Sequence, residues 1–219
     1  MKYARRIMIT FLATILMIHS QIVNAASIGS EANIEFLKGD GPTEPVDPED
    51  PSKPMEPEEP EVTGSLAIIY LSSFNFGSGK TSPETELYDI QTEQPNIQIV
   101  DLRGTNTGWA LDASVSGFTN AAGKASLPGA VIHIKGGRLN SAVSPAYAPT
   151  VSSDVKLTTD NSPNRILTAD SGKGAGLWID RLYPENEGDP SLTQLEIPAG
   201  AITLGSHTAQ ITWTLSDTP

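Results

Sequence analysis

From Thr63 to Pro219 the apolar residues gather in short runs, and no stretch of ten or more residues sustains a 3.6-residue period. Candidate strands are Ser65–Leu71, Ile97–Leu102, Trp109–Val115, Ala130–Lys135, Val155–Thr158, Ile166–Ala169, Leu177–Leu182, Leu195–Pro198 and Thr208–Ser216. Turn formers separate them: Gly104-Thr105-Asn106, Pro128-Gly129, Asn161-Ser162-Pro163 and Gly172-Lys173-Gly174. Extended segments satisfy their backbone only by pairing with one another, and nine short ones with turns between them point to an all-β, antiparallel β-sandwich or barrel-like domain. The 157 residues of that region suffice for one core. No cysteine is present, so the fold rests on its apolar interior without disulfides.

Two segments of other kinds precede this domain. Lys2, Arg5 and Arg6 lead into twelve uncharged residues, Ile7 to Ile18, and Val23-Asn24-Ala25 places small residues for cleavage. This three-part pattern predicts a signal peptide over residues 1–25 and a secreted protein. Twelve helical residues span about 18 Å, short of a ~30 Å hydrocarbon core, so the segment is not read as a membrane anchor. Residues 26–39 hold one β-like stretch, Asn33–Leu37, too short to fold alone.

Residues 40–62 then carry proline at every third position from Pro42 to Pro60, interleaved with acidic residues and the single base Lys53. Polyproline II has three residues per turn, so the seven prolines would line one face of an extended helix kept open by like charge. The expectation is an extended acidic linker leading into a domain over residues 63–219.

Two strands share a pattern. Trp109, Leu111, Ala113 and Val115 fall on one face of the first, opposite Ala110, Asp112 and Ser114. Ile211, Trp213 and Leu215 share a face of the second, opposite Gln210, Thr212, Thr214 and Ser216. Periodicity alone favours core for both apolar faces.

On these residues the chain resembles the WxL domain surface proteins of Gram-positive bacteria. The resemblance rests on Gly108-Trp109-Ala110-Leu111 and on the closing Ile211-Thr212-Trp213-Thr214-Leu215, about a hundred residues later. Leu127-Pro128-Gly129-Ala130, the glycine segment Gly172–Trp178, the acidic proline repeat and the signal peptide agree with it. Trp178-Ile179-Asp180 lacks a leucine two places on and is not a third motif. The resemblance implies non-covalent binding to peptidoglycan or another cell-wall glycan at the cell surface, alongside other surface proteins. Its wall-binding motif positions map onto Trp109, Leu111, Trp213 and Leu215, either as contacts or as parts of the fold that makes them. The chain ends six residues beyond Trp213 without a sorting motif, apolar stop or basic tail, which agrees with non-covalent attachment.

Charge narrows the partners further. Residues 63–219 hold nine basic and fifteen acidic side chains, a net charge of −6, which disfavours nucleic acid and anionic membrane. Catalytic chemistry finds little footing, and no enzyme activity, cofactor or metal is expected. His133 alternates with Val131 and Lys135 on a strand, and His207 follows Gly205-Ser206 in a turn. The acidic pairs Asp101/Asp112 and Asp180/Glu185 are the nearest approach to a glycosidase arrangement, the alternative of a secreted carbohydrate hydrolase. Gly172-Lys173-Gly174-Ala175-Gly176 lacks the strand and helix of a phosphate loop and reads as a flexible loop. A further alternative is a structural or adhesive subunit whose Asn33–Leu37 segment adds a strand to a neighbour's sheet edge.

Overall fold

A computed structural model describes residues 31, 33–37, 39, 42–55 and 62–219. The signal peptide expected over residues 1–25 lies outside the described residues. Phe36–Pro219 form one unit, separate from Met1–Glu35.

The domain is built from three four-stranded antiparallel sheets in a sandwich-like arrangement. The motif sheet runs Thr150–Val151, Asn164–Ala169, Trp109–Val115, Ile211–Ser216. A second sheet runs Val155–Thr158, Val131–Ile134, Thr193–Ile197, Glu86–Asp89. The third runs Leu66–Leu71, Asn96–Asp101, Gly176–Arg181, Arg138–Asn140. All share one core, in which Trp109, Leu111, Ile166, Ile132, Leu157 and Ile99 are each at most 2 % exposed. Burying such side chains is worth roughly 1.5–3 kcal/mol each, which is how a domain without disulfides holds together.

The nine expected strands are all present; Trp109–Val115 and Val155–Thr158 keep the expected ends, and the others are shifted. The expected Thr208–Ser216 strand is broken: His207–Thr208 pairs with Thr119–Asn120, and Ile211–Ser216 pairs with the Trp109 strand. Three further strands, Glu86–Asp89, Arg138–Asn140 and Thr150–Val151, each form an edge. Edge strands need no continuous apolar face, and this weakens their signal in sequence.

The extended acidic linker expected over residues 40–62 requires correction. Pro42–Thr43 pairs antiparallel with Val62–Thr63, and Val46 bridges Pro54, so the described part folds back as a hairpin. Prolines at every third position leave two N–H groups in three, and from Val46 to Met55 each of these has an acceptor. Asp47 Oδ1 accepts from Glu49 N and Asp50 N, and Asp50 Oδ1 accepts from Ser52 N. Backbone bonds run from Asp47 to Lys53 O, from Lys53 to Asp50 O and from Met55 to Pro45 O. Val46 N donates to Gln98 Oε1 at 2.9 Å, and Gln98 Nε2 returns a 2.7 Å bond to Val46 O.

The hairpin lies on the outer face of the third sheet. Glu49 takes Arg181 Nη1 at 2.6 Å and the Tyr183 hydroxyl at 2.5 Å, and Asn140 Nδ2 reaches Pro48 O at 2.8 Å. Polyproline II leaves its backbone to water, whereas Gln98, fully buried on a strand, needs a partner for its amide. The hairpin backbone supplies one, and the acidic face meets Arg181 instead of repelling itself. This cover also explains why all six residues of Asn96–Asp101 are buried, although Gln98 interrupts the apolar pattern.

Candidate functional site

The two Trp-x-Leu segments, a hundred residues apart in sequence, lie on adjacent antiparallel strands. Leu215 pairs with Leu111, Trp213 with Ala113 and Ile211 with Val115. Trp109 sits at the end of its strand and pairs on the other side with Ala169. All four motif residues, Trp109, Leu111, Trp213 and Leu215, pack into or against the one core.

The two tryptophans differ in environment. Trp109 is 0 % exposed, on a strand flanked on both sides, and even the opposite face of that strand is covered at Ala110 and Ser114. Its indole Nε1 donates to Gly174 O at 3.0 Å, and Trp178 Nε1 donates to Ala175 O at 3.1 Å. Consecutive carbonyls of Gly172-Lys173-Gly174-Ala175-Gly176 thus satisfy two buried indoles. A segment expected to be a flexible loop is a cap. Gly174 has φ +78°, and a Cβ there would lie 2.5 Å from Trp109 Nε1 and 2.4 Å from Ala169 Cβ, so glycine is required. The glycine before Trp109 is dictated likewise: Gly108 has φ +85°, and a Cβ would meet Ala169 O at 2.2 Å.

Trp213 is half-buried on an edge strand, where its ring meets Phe74 edge-on at 6.2 Å. Phe74 in turn packs edge-on against Phe76 at 6.3 Å. The row Trp213–Phe74–Phe76 leads from the second motif into a cleft of about 530 Å³. The cleft opens between two edge strands, Glu86–Asp89 and Ile211–Ser216, and is floored by Leu195 and Ile197. One wall is Phe74–Gly79 with Tyr88. It is pinned by Asn75 N to Thr92 Oγ1 at 3.0 Å, Gln91 N to Asn75 O at 2.6 Å and Gly77 N to Asn75 Oδ1 at 2.8 Å. The other wall is the 202–209 segment, held where His207 Nδ1 meets Ser126 Oγ at 2.9 Å and Nε2 meets Thr203 O at 2.9 Å. Since Thr203 O can only accept, Nε2 carries the proton of that bond.

Phe74 and Phe76 stand out in the sequence as an alternating pair, but nothing there joins them to Tyr88 or His207. The Gly77-Ser78-Gly79 that follows is the available signal: a Cβ at Gly79 would lie 2.3 Å from the Tyr88 ring, so a glycine there lets that ring pack close.

Most of the remaining candidates are held by ion pairs within the fold. His133 bonds Glu196 across neighbouring strands at 3.0 Å. Asp101 is gripped by Arg103 at 2.8 Å, and Arg103 also holds Gly108 O. Asp112 pairs with Arg165 at 2.7 Å, and the exposed Glu185 pairs with Arg138 at 3.2 Å. Asp180 is 1 % exposed and neither carboxylate oxygen has a hydrogen-bond partner; burial pushes its pKa up to about 7. In both suggested carboxylate pairs the two members have different surroundings and partners. Among the described residues no group of three or more His, Asp or Glu is placed to hold a metal, and no helix is long and apolar enough to cross a membrane.

No curated protein and no solved structure matches the chain. Residues 23–219 match the family described as WxL domain surface cell wall-binding, a family of binding domains. That match takes in both motif strands and all three sheets, and the chain therefore belongs to the WxL domain family of surface cell-wall-binding proteins.

Proposed function

We propose that the protein, exported through its N-terminal signal, attaches non-covalently to peptidoglycan. Its Trp-x-Leu motifs build the fold that binds and do not themselves touch the wall. The observation that carries this is the burial of Trp109 and Leu111, both 0 % exposed, within a chain matched over nearly its whole length to a cell-wall-binding family. A side chain without exposure cannot meet a polymer that stays outside. Binding then depends on neutral contacts, since the chain carries a net charge of −12 and long-range charge attraction to an anionic wall is absent.

The test is co-sedimentation with purified peptidoglycan, freed of anionic polymers, over a range of salt. Retention should not weaken as salt rises, because there is no charge attraction for the salt to screen over its Debye length of about 8 Å near physiological strength. On cells, chaotrope without muramidase should release the protein. Failure to sediment, or release only after wall digestion, overturns the proposal.

A second reading, a surface-complex subunit acting by strand addition, draws on Ile34, Phe36 and Leu37, which are 78–86 % exposed and outside any strand. Size-exclusion of the mature chain with and without residues 27–39 tests it: loss of a larger species on truncation supports the reading, and identical profiles oppose it.

A further inference from the structure

We propose that the cleft between Phe74–Gly79 and the 202–209 segment is a binding subsite for an uncharged, N-acetylated sugar of the wall glycan, with Trp213 as a positioning residue behind it. The proposal rests on the attachment reading above and adds the site and the chemical class it takes.

Charge is the first argument. No Asp, Glu, Lys or Arg lines the cleft, in a chain of net charge −12. A second hollow of about 390 Å³ differs, being lined by Lys135, Arg138, Glu185 and Asp189. A phosphate-bearing polymer would find no cation in the cleft, and a basic peptide no carboxylate. Moving an ionic group there without a partner costs several kcal/mol, so the lining selects against both.

Shape and chemistry then favour a sugar. At about 530 Å³ the cleft falls within the ~300–1,000 Å³ of small-molecule sites. Phe74, Phe76 and Tyr88 are half-buried aromatic rings that present apolar area at small entropic cost. Around them stand neutral polar residues, Ser78, Thr203 and Ser206, and the exposed glycines Gly77, Gly79 and Gly205. A pyranose ring has this dual character, with C–H faces and a rim of hydroxyls. The floor at Leu195 and Ile197, each 6 % exposed, offers an apolar seat for an acetamido methyl.

The site is also tied to the family motif. Phe74 is clasped between Phe76 at 6.3 Å and Trp213 at 6.2 Å, so the second Trp-x-Leu strand sets the position of a cleft ring without meeting the ligand. The edge strand carrying Trp213 thus gains a role beyond packing.

The test uses the mature full-length chain and soluble probes. A tetramer of N-acetylglucosamine is titrated against the labelled protein, with cellotetraose, which lacks the acetamido groups, as control. The expected result is backbone chemical-shift change concentrated at Gly77, Gly79, Gly205 and His207, and weaker binding of cellotetraose. Phe76→Ala should weaken tetramer binding about tenfold or more with the fold retained. Ser206→Trp, which fills the mouth from an exposed position, should abolish it even if Phe76→Ala fails to fold. Each variant is also sedimented with peptidoglycan. If wild-type protein sediments but Ser206→Trp and a folded Phe76→Ala sediment equally well, the cleft proposal falls and the attachment reading stands. If the tetramer shifts the cleft but peptidoglycan is not bound, the attachment reading falls alone. Shifts at the cleft that depend on protein concentration and vanish on deleting residues 27–37 would assign the cleft to a second copy and overturn the sugar.

Discussion

Replacing Asp180 by asparagine should reveal an inverted pH dependence of stability. Asp180 shares a strand face with Trp178 and points into the apolar core, opposite Ile97 and Leu139 on the flanking strands. Gly137 presses against it so closely that a Cβ there would lie 1.7 Å from Asp180 Oδ1. Arg181, next in the chain, projects to the other face and is held by Glu49. With no cation and no donor, the carboxyl keeps its proton in the fold up to about pH 7, against 3.8 when exposed.

The sign follows from proton counts. Between pH 3.8 and 7 the folded state binds the extra proton, so stability falls as pH rises through that window and is level above it. The shift is about 3 units at about 1.4 kcal/mol each, or about 4 kcal/mol in all, a large share of a stability of roughly 5–15 kcal/mol. Asparagine has nearly the same shape and never ionises. Urea unfolding of wild type and Asp180→Asn at pH 4 and pH 8 reads the difference directly, because other titrating groups cancel between the two proteins. The variants should agree within about 1 kcal/mol at pH 4, and Asp180→Asn should be about 4 kcal/mol more stable at pH 8. A gap that is the same at both pH values would mean that the carboxylate is solvated or paired in the fold, and the argument would fail.

The other expectations concern the tryptophans and the hairpin. Trp109→Ala should cost about 3–5 kcal/mol, whereas Trp213→Ala, half-buried on an edge, should cost less, about 1–3 kcal/mol; equal losses in denaturant melts would contradict the difference in burial. Gly174→Ala should cost about 3 kcal/mol, through left-handed strain and a displaced Trp109 N–H bond, and lower the melting temperature by roughly 6–12 °C; an unchanged melt would refute the cap. Amides of Val46, Asp47, Lys53 and Met55 should be protected from hydrogen exchange, and Gln98→Ala should release Val46 first. Exchange at the rate of an unfolded peptide in wild type would restore the extended linker.

Much of this protein is legible in one dimension. The β class and the nine strands follow from short apolar runs between turn formers, and the inward face of Trp109, Leu111, Ala113 and Val115 follows from period-two alternation, because a strand's side chains alternate whatever lies beyond them. The adjacency of the motif strands could be expected only by resemblance, since pairing across a hundred residues leaves no local trace. Tertiary structure alone decided the rest. The three-residue proline period is compatible with a rod, but Asp47 and Asp50 can close turns, and a buried Gln98 and a waiting Arg181 reward the bend. The glycines at 172, 174 and 176 look mobile until two indole N–H groups, brought there by separate strands, are seen to need the carbonyls between them. Phe74, Tyr88 and His207 come from separate stretches of chain, and only the meeting of two sheet edges makes them one cleft. Alternation is set residue by residue, whereas what covers a face depends on which distant groups remain unsatisfied once the sheets have formed.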